Sequence, residues 1–182
     1  MARIQAQMKM PDFVCRTPFA PDAPLSEVLK RVEGKTALVF LRYYGCPICQ
    51  LDMQEFGEEY GKIQATGGQL LLVLQSDPEK LRAQITRETF PYEIVCDPNM
   101  ELYKALSIDP APSMLKMISL KAVGKILRSR KKGFTHGDYE GNEQQLPAAF
   151  VLTPDGTVTY AHYGKDVGDV PTAEELTALL RQ

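Results

Sequence analysis

Several things this 182-residue sequence lacks narrow its function at once. It has no apolar run of membrane-spanning length; "LVFLRYY" and "LLLVLQS" are strand-sized. Its start, "MARIQAQMKMPDF", has neither an apolar h-region nor a small-residue cleavage site, so no secretory signal is expected. A net charge of −2 supplies no basic field for nucleic acid or an anionic membrane. Cysteine is scarce: four in a chain this size are too few for a disulfide scaffold. The two histidines, His136 and His162, are far apart, and there is no second C-x-x-C and no H-x₃-H. Repeats and low-complexity segments are also missing. What remains is an ordinary globular composition, 44% hydrophobic and 24% charged. It is expected to fold as a single domain over residues 1–182, in a reducing, cytoplasmic compartment.

Short apolar runs alternate with helix-period segments. "TALVFLRY" (36–43) and "QLLLVLQS" (69–76) read as buried strands, and "YEIVC" as a shorter one. Cys46 to about Thr66 reads as one helix ended by Gly67-Gly68. Asp77-Pro78 carries a helix start signal, and Asp97-Pro98 repeats it before "NMELYKALSI". "AAFVLTPDGTVTYA" (148–161) reads as a hairpin. "PTAEELTALLRQ" opens on a capping box, Thr172 to Glu175, with an apolar stripe at Leu176, Leu179 and Leu180. Strands alternating with helices imply an α/β layer fold with a mostly parallel sheet.

Residues 113–132 are the one charge-biased segment, with seven Lys and Arg and no acidic residue. Met114, Met117, Leu120, Val123 and Leu127 recur at helical spacing. The expectation is a helix with that face on the core and a solvated basic face. The basic face could alternatively dock an acidic partner or an anionic substrate.

Cys46 and Cys49 bracket Pro47-Ile48 straight after a buried strand, so Cys46 sits at a helix start with Pro47 at the first helical position. Thiolate is the reactive form of cysteine, and a helix N-terminus favours negative charge. Lowering a thiol from ~8.5 to ~7 takes roughly 2 kcal/mol of local electrostatics. Cys49, Met53, Phe56, Tyr60 and Ile63 repeat at spacings of four and three, a face that packs on the sheet. Cys46 is therefore expected exposed at the tip and Cys49 sheltered, the asymmetry a dithiol catalyst uses. Two core cysteines at chance spacing, a zinc site and a structural disulfide are the competing readings. Zinc needs two more ligands than the pair supplies, and Cys15 and Cys96 read as core residues.

Strand, G-C-P-I-C, helix, and a later Leu146-Pro147 ahead of a hairpin resemble a thioredoxin fold, where a cis-proline faces the active cysteine; Pro147 is the matching position. "MPDFVC", "PLSEVLKRVEGKTALVFLRYYGC", "PYEIVCDPNMELYKALSI" and "AAFVLTPDGTVTYAHYGKDVGD" resemble segments of the alkyl hydroperoxide reductase/thiol-specific antioxidant (AhpC/TSA) superfamily. Phe40, Arg42, Gly45, Cys46 and Cys49 match the pattern F-x-R-x-x-G-C-x-x-C of a peroxiredoxin-like branch. Gly133, Phe134, Glu140, Gly141 and Gln145 match a glycine-rich stretch before its hairpin. The resemblance implies a thioredoxin-like α/β fold: a central mixed sheet flanked by helices, a peroxiredoxin-type N-terminal extension and a helical insertion.

It also implies a thiol-dependent oxidoreductase in which Cys46 attacks and Cys49 resolves, with Tyr44, Pro47, Pro147 and Arg42 around the groove. The reductant would be a thioredoxin- or glutathione-type system. No bound cofactor, metal, nucleic acid or membrane is implied, and a homodimer is left open. The chain departs from typical peroxiredoxins where P-x-x-x-T-x-x-C becomes Val39 and Tyr43, and where Pro147 occupies the neighbourhood of an arginine. Arg42 could supply charge, but a strand residue can point the other way. Disulfide exchange is accordingly expected ahead of hydroperoxide reduction. A redox-sensing or partner-binding domain without turnover is the non-enzymatic reading.

Overall fold

The computed structural model describes residues 3–182. A two-stranded hairpin, β1 (Val14–Cys15) and β2 (Ala23–Pro24), leads into α1 (Leu25–Val28). The apolar runs then form β3 (Thr36–Phe40), β4 (Gln69–Leu74) and β5 (Glu93–Cys96), and the hairpin forms β6 (Ala148–Leu152) and β7 (Val158–Tyr163). Their order across the sheet is β5-β4-β3-β6-β7. The β3–β4 and β4–β5 ladders are parallel, while β3–β6 and β6–β7 are antiparallel. Strand–helix alternation alone suggests a mostly parallel sheet; the sheet is mixed because the hairpin adds to one side of it, β6 pairing antiparallel with the central β3 and β7 forming the edge.

Side chains alternate across a strand, so β3 feeds two cores. Ala37 and Val39 join Cys46, Cys49, Met53 and Phe56 on one face. Leu38 and Phe40 join Leu25, Tyr103 and Phe150 on the other. There the Phe40 ring meets Tyr103 edge-on at 5.2 Å and Phe150 at 6.0 Å. Burying each such side chain contributes roughly 1.5–3 kcal/mol relative to exposure.

The expected helix over 46–66 is two: α2 (Pro47–Glu58) and α3 (Tyr60–Gln64), with the break at Glu59. Gly57 and Gly61 flank it, and glycine is a weak helix former. The apolar stripe nevertheless survives the break, since Cys49, Met53, Phe56, Tyr60 and Ile63 are all buried in one core. Asp77 caps α4 (Pro78–Gln84) by accepting from the Glu79 and Lys80 amides. The second Asp-Pro behaves differently. α5 (Glu101–Ala105) starts later, after Met100 in the left-handed region, and Asp97 reaches forward to the Glu101 and Leu102 amides. The Thr172–Glu175 capping box is present at the start of α7 (Ala173–Arg181).

Residues 113–132 depart most from expectation. A 3-10 turn (Met114–Met117) is followed by α6 (Leu120–Lys131), and the helix is docked with its apolar stripe outward. Ala122, Lys125 and Ser129 are buried; of the expected apolar face, Met117 in the turn is buried, whereas Met114, Leu120, Val123 and Leu127 are exposed. The reason is Asp52 on α2. Lys125 is only 5% exposed, and its Nζ donates to Asp52 Oδ1 at 2.6 Å. Alongside it, Arg128 pairs with Glu55 and Lys132 with Glu58, so α6 runs parallel to α2.

Candidate active site

β3 ends at Phe40, and the chain passes through Leu41 to Gly45 into α2. Pro47 occupies the first helical position and is half-buried. Cys46 is the N-cap: its Sγ accepts the Cys49 amide at 3.3 Å. Arg42 supplies the second donor. Its Nη2 lies 2.9 Å from Cys46 Sγ, while Nη1 donates to the Glu143 carbonyl at 2.7 Å. The question of where Arg42 points is thereby decided, because it lies beyond the end of β3 and turns back over the sulfur.

Cys46 is not at an exposed tip. It is 0% exposed, as sheltered as Cys49, so the expected difference in accessibility is absent. A distant segment, residues 133–145, lies across residues 42–45 just before Cys46. The Gly137 amide donates to the Gly45 carbonyl at 2.9 Å. A Cβ at Gly45 would come within 2.4 Å of the Asp138 carbonyl, so the glycine before Cys46 is required by this close approach. Tyr43, buried, donates its hydroxyl to Glu143 Oε1 and lies 2.9 Å from His136 Nε2. His136 stacks on Tyr139, with ring centroids 4.0 Å apart.

The two sulfurs differ in acidity instead. Burial pushes Cys46 up, but a hydrogen bond from the Cys49 thiol, the Arg42 charge and the Cys49 amide together hold it down to about 7. Burial pushes Cys49 well above the ordinary thiol range, and its bond to Cys46 adds to that. Burial opposes the Arg42 charge, yet the sulfurs of Cys49 and Cys46 hold its acidity constant above the usual value. The pair thus sets one sulfur near the thiolate form beside one kept as a proton donor. Cys15 and Cys96 are buried and pushed by that burial to about 12, so neither is poised to react.

The other groove residues are arranged less directly. Tyr44 is half-buried; its amide donates to Ser76 Oγ and its carbonyl accepts from Gln50. Pro147 stands immediately before β6, in the place the resemblance assigns, but its peptide bond is trans because no cis bond occurs among the described residues. Its carbonyl accepts from the Gly164 amide. The glycine-rich stretch is built into the covering segment: Gly141 adopts φ +63°, Gln75 Oε1 accepts the Asn142 amide, and Glu140 accepts the Asp77 amide. His136 and Glu143 are the site residues that sequence reasoning passed over. They lie 93 and 100 residues from Tyr43, and only their neighbours Gly133, Phe134, Glu140, Gly141 and Gln145 carried any signal.

A buried cysteine at a helix start, held by Arg42 beside a second buried cysteine on this sheet, agrees with a family match over residues 7–161 to the AhpC/TSA family. The chain belongs to the AhpC/TSA family. It is 26% identical over 164 residues to the Arabidopsis thaliana "Thioredoxin-like protein AAED1, chloroplastic", covering 85% of this chain and 64% of that one. It is 24% identical over 142 residues to the Takifugu rubripes "Peroxiredoxin-like 2C", covering 71% and 62%. The chain therefore spans under two thirds of the length of these curated relatives. Among solved structures, PrxQ of Xylella fastidiosa superposes with a TM-score of 0.70 at 13% identity, covering 100% of this chain and 98% of that one. The thioredoxin-like AhpC/TSA architecture is thus shared, and members of this family are thiol-dependent peroxidases or disulfide oxidoreductases.

Proposed function

We propose that this AhpC/TSA protein is a dithiol peroxidase in which Cys46 reduces a hydroperoxide and Cys49 resolves the product. The observation that carries the reading is the Arg42 guanidinium, 2.9 Å from Cys46 Sγ and anchored on Glu143. The Cys46 thiolate attacks the distal peroxide oxygen; the S–O bond forms as the O–O bond breaks. The alkoxide takes a proton and leaves as alcohol, and Cys46 becomes a sulfenic acid. Cys49 then attacks Cys46 Sγ, closing a disulfide and releasing water. A thioredoxin- or glutathione-type dithiol returns both sulfurs to the reduced state.

Two features support ranking peroxide ahead of disulfide exchange, the reverse of the order expected from sequence. Arg42 brings a cationic donor to within 2.9 Å of the reacting sulfur, in a site where Tyr43 and Pro147 replace the usual Thr and Arg. A fully buried sulfur also favours a small substrate over a protein disulfide. Disulfide exchange remains the second reading because the C-x-x-C spacing itself supports it.

The deciding experiment mixes reduced protein with a hydroperoxide and, separately, with a model disulfide, comparing second-order rates and mapping the oxidised peptides. The expected result is faster peroxide reduction and a Cys46–Cys49 disulfide. Cys46 joined mainly to Cys15 or Cys96 would overturn the resolving role of Cys49. Faster reaction with the model disulfide would move the protein to the second reading.

A further inference from the structure

Helix α6 exposes the side that its sequence pattern would bury. Leu120 is 93% exposed, and Val123 and Leu127 share its stripe at spacings of three and four. Met114, Leu115 and Ile118 in the preceding turn are exposed as well, Leu115 at 87%. Gly124 lies within the stripe, and a Cβ there would meet nothing within 4 Å, so no part of the chain covers the helix at that point. At 100° per residue, the buried positions Ala122, Lys125 and Ser129 fall directly opposite the stripe. The ridge is turned straight away from the body. A contiguous apolar face of this kind on a soluble surface marks an interaction site.

Charge selects the occupant. Of the seven cationic side chains in residues 113–132, Lys125 is buried on Asp52 and turned away from the ridge, while six are exposed around it, three of them beside acidic neighbours on α2 and before α7. Lys116, Arg130 and Lys131 are exposed at the two ends of the ridge. Lys121, Arg128 and Lys132 line one flank, within 4 Å of Asp169, Glu55 and Glu58. A second copy would bring like charges together across a two-fold axis. A protruding helix with leucines outermost and Lys and Arg along its edges has the build of one that lies in a bilayer interface. We propose that α6 and the turn before it form a peripheral docking site for an anionic lipid surface, with the apolar ridge entering the headgroup boundary and the basic residues meeting the lipid phosphates. Among the described residues no helix is long and apolar enough to cross a membrane, so the contact is interfacial.

The test is flotation of the full chain with phosphatidylcholine vesicles, with and without phosphatidylglycerol. Binding is expected only with phosphatidylglycerol present, and it should weaken as salt is raised. Leu120→Asp and Leu127→Asp should each lower partitioning roughly tenfold or more. Both positions are exposed, and Asp at the first turn of α6 suits the helix dipole, so the fold is retained. Lys131→Glu should weaken binding while leaving the apolar ridge intact. Absence of flotation at every lipid composition overturns the proposal, and so does equal binding to phosphatidylcholine alone. Light scattering that shows a dimer abolished by Leu120→Asp, without flotation, overturns it too and assigns the ridge to a second copy. Retention on immobilised polyglutamate without flotation does the same in favour of an acidic polypeptide.

Discussion

At the scale of single residues, the chemistry rests on Arg42 and Cys46. Burial alone would raise the Cys46 thiol, and hydrogen bonding with the Arg42 charge reverses this. The rate of alkylation by a small reagent should follow the thiolate fraction, rising with pH to a midpoint near 7 rather than the ~8.5 of a free thiol. Arg42→Met removes the charge and one donor but leaves the sulfur buried. Its midpoint should move above that of a free thiol, and alkylation at pH 7 should slow by about tenfold or more. Arg42→Lys keeps the charge without the two-pronged contact to Cys46 and Glu143, so it should recover only part of the loss. An unchanged pH profile in Arg42→Met would show that the helix start alone lowers the thiol. Gly45 illustrates the opposite relation of residue to fold: its place in the motif was legible, but its physical reason is the Asp138 backbone, which no local pattern reveals.

Elements are joined here by a pairing that overrides periodicity. Burial raises the Asp52 carboxyl while Lys125 opposes it, and the two meet at 2.6 Å with both side chains nearly inaccessible. Removing one partner strands the other. Asp52→Asn should therefore destabilise the fold by about 3–5 kcal/mol, read as a lower midpoint of urea unfolding. The double replacement of Asp52→Leu with Lys125→Met should recover most of that loss, because two apolar groups of similar volume leave no buried charge. A double variant no better than Asp52→Asn would mean that packing rather than charge sets the cost. The same pairing explains why the apolar stripe of α6 misled. Counting hydrophobic positions chose the wrong face, since the energy of satisfying a buried carboxylate on α2 decided which side of α6 docks.

Across the whole molecule, the site lies at the C-terminal end of β3 and is closed by a segment that follows nearly ninety residues later in the chain. Gly141 is a pivot of that closure. At φ +63° it sits where a Cβ would meet Gln75 Oε1 at 2.0 Å and its Cβ and Cδ at 2.9 Å. Gly141→Ala should cost about 1–3 kcal/mol in thermal unfolding and loosen the segment over Cys46. Bulky thiol reagents should then gain on small ones in their rate with Cys46. An unaltered ratio of the two rates would mean that Cys46 is sheltered by its own helix rather than by residues 133–145.

The sequence by itself determined what short-range physics governs. The strand runs of the sheet follow from apolar composition, and the helix starts at Asp77 and Thr172 from local capping. The placement of Cys46 at the head of α2 follows from a Cys-Pro a short way beyond an apolar strand, although β3 ends at Phe40, and the buried stripe from Cys49 to Ile63 follows from helical spacing. Family resemblance added the mixed sheet and marked Arg42 as a source of charge. Tertiary structure alone decided that Arg42 turns onto the sulfur, that Cys46 is covered, and that His136 and Glu143 gather around Tyr43. It also decided that α6 buries a lysine and presents its leucines to solvent. Each of these depends on a partner far along the chain, 73 residues away for Lys125 and Asp52 and 101 for Arg42 and Glu143. Periodicity records which side chains prefer to leave water, but a buried charge or an orphaned carbonyl is satisfied only by whichever group the fold brings within hydrogen-bonding distance.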